Sequence, residues 1–133
     1  MSVKSNSFHD FNEAIYNNDI QSMIENVHLI SFEDREFGFH LACSNDRLEI
    51  VKYLIDNKLL NNTFSNCYSI LRNAYISSFP DSIEVREYVL VQEGYIPDND
   101  DFQWLLENEI SVDKTTLKLA KKAGWSLKKS KKH

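Results

Sequence analysis

The stretch from Phe37 to Ile55, FGFHLACSNDRLEIVKYLI, decides the fold. Phe39, Ala42 and Cys43 recur at three-to-four spacing, with Phe37 and Leu41 between small or polar neighbours, which is the pattern of a short helix burying one face. Ser44, Asn45, Asp46 and Arg47 are too polar and turn-prone to continue that helix comfortably, and Asp46 is placed to cap the next one. Leu48, Val51, Tyr53, Leu54 and Ile55 then form a second apolar face, with Glu49 and Lys52 pointing outward. The stretch predicts two helices of about ten residues each, joined by a tight turn into an antiparallel hairpin. Helices so short do not persist alone in water. They need neighbours.

Neighbours recur at a regular interval. A shift of 28 residues places Phe11 on Phe39, Ala14 on Ala42, Asn17 on Asn45, Ile20 on Leu48 and Met23 on Val51. Further along, Ala74 matches Ala42 and IEVREYV echoes LEIVKYL, with the turn lengthened to SSFPDS and Pro80 placed to end the first helix. In the last unit Phe102, Trp104, Leu105 and Leu106 stand on the first helix and Val112, Leu117, Leu119 and Ala120 on the second. The chain reads as an all-α, short solenoid of about four helix-turn-helix repeats, each hairpin burying its face on the next. The expected units are roughly 8–34, 35–65, 66–98 and 99–126, one domain over 1–126, followed by a lysine-rich C-terminal tail over 127–133.

Phe39, His40, Leu41 and Ala42, followed by Leu48, Glu49, Ile50, Val51, Leu54 and Ile55, resemble the ankyrin repeat, with its Thr-Pro-Leu-His-x-Ala helix start and Leu-Glu-Ile-Val second helix. The Thr-Pro step is Phe37-Gly38 here, the mid-repeat Gly-His is Asp46-Arg47, and Lys58 stands where the family closes with glycine. LISFEDREF and KLLNNTFSN read as plain loops in place of the family's β-hairpin fingers. The resemblance also implies a structural His40 that bonds backbone between adjacent loops. Short, divergent chains of this kind resemble those of large DNA viruses and intracellular bacteria that intercept host or competitor proteins.

Composition narrows the chemistry. Only three glycines and two prolines occur in 133 residues, which disfavours a turn-rich β protein. With glycine at 38, 94 and 124 alone, a nucleotide-binding fingerprint is excluded. Cys43 and Cys67 lack paired spacing and read as reduced core residues. MSVKSNSFHD lacks the apolar run of a secretion signal, and no stretch approaches a membrane span, so a cytoplasmic protein is expected, in host cytoplasm or nucleus on the pathogen reading. His40 and Cys43 share a helix turn, but no second ligand pair follows, so no metal, cofactor or small-molecule site is expected. DNDD at 98–101 lacks the glycine and terminal glutamate of a calcium loop and reads as helix capping. No catalytic residue emerges, and the chain reads as a non-enzyme.

Charge divides the chain. Met1 to Asp113 holds seven Lys or Arg and all twenty acids, whereas Lys114 to His133 holds eight lysines and no acid. The family's binding positions, carried onto this chain, are Glu13 and Tyr16, then Glu33, Asp34, Glu36, Ser44 and Asn45, then Arg72 and Tyr75. Tyr16, Tyr75 and Trp104 fall near first-helix ends, which line the concave face of such stacks, and exposed aromatics there suit a protein anchor. The expected function is a protein-protein interaction module with an acidic, aromatic concave surface for a basic partner. The alternatives are a subunit of a larger particle, or a nucleic-acid-associated accessory protein gripping polyanions through Lys121, Lys122, Lys128, Lys129, Lys131 and Lys132.

The repeat register makes one sharp prediction. Ala42→Glu forces a charge into the joint between paired helices and should leave the chain unfolded by circular dichroism. A variant that melts with its parent would mean the register is wrong.

Overall fold

The computed structural model describes residues 7–108 together with Lys114 and Lys118. Helices α1 (Ser7–Tyr16) and α2 (Ile20–Val27) form the first hairpin, and α3 (Phe32–Ser44) and α4 (Leu48–Asp56) the second. In the third, α5 (Ile70–Ser77) is followed by α6 (Ile83–Glu87), which runs into a π-helical turn at Tyr88–Gln92. Helix α7 (Asn99–Glu107) follows, and the second helix expected for a fourth unit lies outside the described residues. The fold is all-α and ankyrin-like: among the described residues no strand forms, and a lone bridge pairs Thr63 with Ser69. No described helix is long and apolar enough to cross a membrane.

The first helices stack as one layer, α1 on α3 on α5, and the second helices as another, α2 on α4 on α6. Between the layers lies a continuous core that includes Phe11, Ile15, Met23, Phe39, Ala42, Ile50, Leu54, Ala74, Tyr75, Val85 and Val89. Ala14 and Ala42, paired by the 28-residue shift, are both buried at the joints, where a larger side chain would separate the helices.

The repeat extends to the backbone. Asn18 and Asp46, 28 residues apart, both take a left-handed φ of 58°. At these turns Asp19 N–H donates to the Ala14 carbonyl and Arg47 N–H to that of Ala42, so one capping bond recurs in register. Lys58 closes the second unit at φ 54° with Leu59 N–H on the Leu54 carbonyl, a left-handed position held without glycine. Gly94, at φ 70°, closes the third unit. It lies eleven residues after the start of α6, against ten from the start of α4 to Lys58. The π-turn absorbs that extra residue, as such turns do.

Three expectations need correction. LISFEDREF is mostly helix, because the Ser31 hydroxyl accepts the Asp34 amide at 3.1 Å and starts α3 at Phe32, within the expected first unit. Asp46 does not cap its own helix, since its left-handed backbone sends the carboxylate to the Val85 amide at 2.9 Å, one of the unpaired donors opening α6. Cys67 is exposed in the loop before α5, while Cys43 is fully buried, and burial raises its thiol well above the ordinary value.

That loop, residues 57–69, is not adrift. Leu59, Leu60 and Phe64 enter the core, Phe64 lies edge-on to Phe39 and His40, and the Glu36 carboxylate accepts the Ser65 hydroxyl at 2.6 Å.

Gly38 sets the distance between α1 and α3. A Cβ there would overlap the Phe11 ring and lie 2.9 Å from Ile15 Cδ1, and both neighbours are fully buried. Gly to Ala ordinarily stabilises a helix interior by about 0.5–1 kcal/mol. Here Gly38→Ala should instead destabilise by about 1–3 kcal/mol through overpacking, measured by urea unfolding. A gain in stability would mean that α1 and α3 do not approach so closely.

Candidate interaction surface and the residues that position it

Ten residues were expected to line a binding surface, and the structure sorts them by burial. Glu13, Glu33, Ser44 and Tyr16 are exposed, Tyr16 at 62%. Asp34 and Asn45 are half-buried, and the Asn45 side chain donates to the Leu41 carbonyl at 2.8 Å. Glu36 is half-buried and engaged with Ser65. Trp104 is partly buried against the core.

Two expectations are overturned outright. Tyr75 is fully buried, edge-on to Phe79 at 5.1 Å and tilted against Tyr95 at 5.5 Å. The α5 turn that carries it faces the core, so it serves as a packing residue and cannot be a surface anchor. Arg72 is committed internally, with Nε 2.8 Å from Asp101 Oδ1 and its guanidinium 3.9 Å over the Tyr68 ring. Asp101, with no solvent exposure, also accepts the Tyr95 hydroxyl and the Asp98 amide, and Asp98 accepts the Asp101 amide in return. This reciprocal pair starts α7. Burial holds the Asp101 carboxyl above its ordinary value, against the opposing pull of the Tyr95 hydroxyl, the Asp98 backbone amide and the Arg72 charge. The DNDD segment is thus a helix start tied to the previous unit.

Arg72 is one of four arginines in the chain, and all four act inside it. Arg47 donates to the carbonyls of Ile15, at 3.1 Å, and Tyr16, which end α1. Arg35 spans the Val27 carbonyl that ends α2, at 2.8 Å, and the Leu59 carbonyl beyond α4, at 3.1 Å. Arg86, almost fully buried, holds the carbonyls of Ser78 and Pro80 at 2.9 and 3.0 Å and lies over the Phe79 ring. Helix ends leave carbonyls without partners, and a guanidinium suits them with several donors in a fixed fork. Sequence reasoning missed these roles because a single arginine carries no periodic signal.

Acids outnumber basic residues along the described body. From Ser7 to Asn108 the chain holds eighteen acids, four arginines and two lysines, Lys52 and Lys58. Lys52 lies over the Tyr88 ring at 5.8 Å, and Lys58 is exposed. Asp10, Glu13 and Asp19 line an open cleft of about 230 Å³ between α1 and α2 at the start of the stack. His9, Asp10 and Glu13, all exposed, also bring ligand-type atoms within 4.8 Å of one another, with His9 and Glu13 forming a surface pair one turn apart at 3.9 Å.

The apolar feature of this face was missed as well. Phe8 of α1 and Phe37 of α3 meet at 5.6 Å between ring centroids, and Phe37 is 57% exposed. The clue lay in angle: at 3.6 residues per turn Phe37 stands about 200° from Phe39, on the side away from the core. Glu33, one turn before Phe37, and Ser44, two turns after it, share its exposed side. The two rings thus form an exposed aromatic patch with a carboxylate one turn away.

His40 belongs to the scaffold. Its Nδ1 lies 2.8 Å from the Ser77 hydroxyl at the end of α5, so it joins two units through a side chain instead of loop backbone. Burial lowers its pKa from 6.5, and Glu36 opposes that shift.

A match to the family model described as Ankyrin repeat covers residues 38–62. No curated protein and no solved structure matches the chain. The six tail lysines expected to grip polyanions, Lys121 to Lys132, lie outside the described residues.

The lowered pKa of His40 fixes a sign. Below the unfolded value of 6.5 the unfolded chain takes up a proton that the folded chain resists. Stability should therefore fall as pH is lowered through 6.5 toward the folded pKa. His40→Gln, which keeps a hydrogen-bonding side chain, should remove that portion of the decline in urea titrations across pH. An unchanged profile would show that His40 is not held neutral.

Proposed function

We propose that this chain, which carries an ankyrin repeat at residues 38–62, is a non-enzymatic protein-binding module. Its binding surface is the exposed side of the first-helix layer. The Phe8–Phe37 ring pair supplies the apolar anchor, with Tyr16 on α1, and Glu13 and Glu33 supply the charge. Aromatic side chains on a rigid support give large contact area at low ordering cost, while acids select and steer a basic partner. The observation that carries this reading is the exposed ring pair, since a folded chain gains little by leaving two phenylalanines together in water.

The excess of eighteen acids over four arginines and two lysines from Ser7 to Asn108 supports the expected charge of the partner. Repeats of this class bind proteins generally, and the acidic body disfavours nucleic acid as its ligand. Interception of a host or competitor protein in cytoplasm or nucleus by a viral or pathogen factor is the setting that the short, divergent repeats suggest. A stack held by side chains between units presents its face largely preformed.

The double variant Phe37→Ser with Glu33→Lys tests this. Bait made of the intact chain should retain a basic protein from native lysate, and the variant should bind that protein at least about 30-fold more weakly, the cost of losing a hot spot. Its unfolding free energy should stay within about 0.5 kcal/mol, as for surface changes generally. Equal affinity for the captured protein would remove the face from consideration.

A further inference from the structure

We propose that the chain's own C-terminal segment, residues 119–133, docks on the acidic α1–α3 face and competes there with the protein partner, an inference that rests on the binding role just given to that face. Three observations lead to it. The first is charge: the segment carries six lysines and no acid, the exposed Glu33 stands one turn before Phe37, and Glu13 is exposed on α1. Within the described body Arg35, Arg47 and Arg86 bond carbonyls and Arg72 pairs with Asp101.

The second is shape and polarity. Trp125 and Leu127 immediately precede the lysines at 128, 129, 131 and 132. An apolar pair followed by positive charge complements a ring pair bordered by carboxylates. The third is reach. Beyond Lys118, the seven residues to Trp125 span up to about 24 Å and the fourteen to Lys132 up to about 48 Å when extended. Two steps back along the first-helix layer, from α5 to α1, span about 20 Å at 8–10 Å per packed helix. A tethered segment within reach acts at an effective concentration in the millimolar range, so even a weak contact is occupied.

Zero-length carbodiimide coupling of the purified full chain tests this directly. Peptide mass spectrometry of the monomer band should find amide bonds joining Lys128, Lys129, Lys131 or Lys132 to Glu13 or Glu33. The yield should fall at least about fivefold in 0.5 M salt, where charge acts over only a few ångströms. It should fall about as far in Phe37→Ser, which leaves both carboxylates in place but removes the apolar anchor. Coupling spread evenly over Glu49, Glu84 and Glu107, or found only in covalent dimers, overturns the proposal.

Replacing the four lysines at 128, 129, 131 and 132 with glutamine should tighten partner capture several-fold, since the competitor is gone. The two readings fail separately. Capture that depends on Phe37 without any tail coupling overturns the docked segment alone. Tail coupling to the face with capture indifferent to Phe37 overturns the binding role of the face and leaves the docked segment standing.

Discussion

A helix of eight to thirteen residues ends with carbonyls that have no partner of their own, and in this stack the next unit supplies one. Arg47 reaches back from the second turn to the end of α1, and Arg35 reaches from α3 to the end of α2. Asp46 answers in the opposite sense, covering an amide at the start of α6. His40 to Ser77 and Arg72 to Asp101 continue the series toward α7. Hydrogen bonds to charged groups contribute about 1.5–3 kcal/mol each, comparable to what a short hairpin lacks on its own. Apolar burial drives the stacking, and these bonds fix its register. Gly38 shows how close the fit is, since it lets the Phe11 ring lie against the backbone of α3.

Arg35, Arg47 and Arg86 spend their hydrogen bonds on carbonyls and Arg72 pairs with Asp101, while the exposed acids outnumber the lysines of the described body. An acidic surface on a rigid stack favours fast, selective association with basic partners. The aromatic pair is placed by the same stacking, because Phe8 and Phe37 meet only when α1 lies against α3.

Much of the scaffold was legible in the sequence, and for stated reasons. The 28-residue spacing of Ala14 and Ala42 located the joints, and the run from Leu48 located a second helix that starts at that residue. His40 read correctly as structural, although its partner is a side chain. Features that depend on conformation rather than pattern were not legible. Asp46 looks like a cap in sequence, yet its positive φ aims it at another unit. The π-turn at Tyr88–Gln92 leaves no residue-type signature beyond one extra position. The candidate site suffered most. Tyr75 and Phe37 are both aromatic residues on first helices, and only their angle to the core separates a buried packing residue from an exposed anchor.

Residue-resolved native-state hydrogen exchange on Arg47→Met measures the central claim most directly. If units stand by leaning on one another, loss of the two carbonyl bonds from Arg47 should speed exchange in α1 and α2 together with α3 and α4, fading toward α6. Exchange in α1 and α2 that matches the parent protein would contradict it, because the first hairpin would then be stable without the bonds that join it to the second.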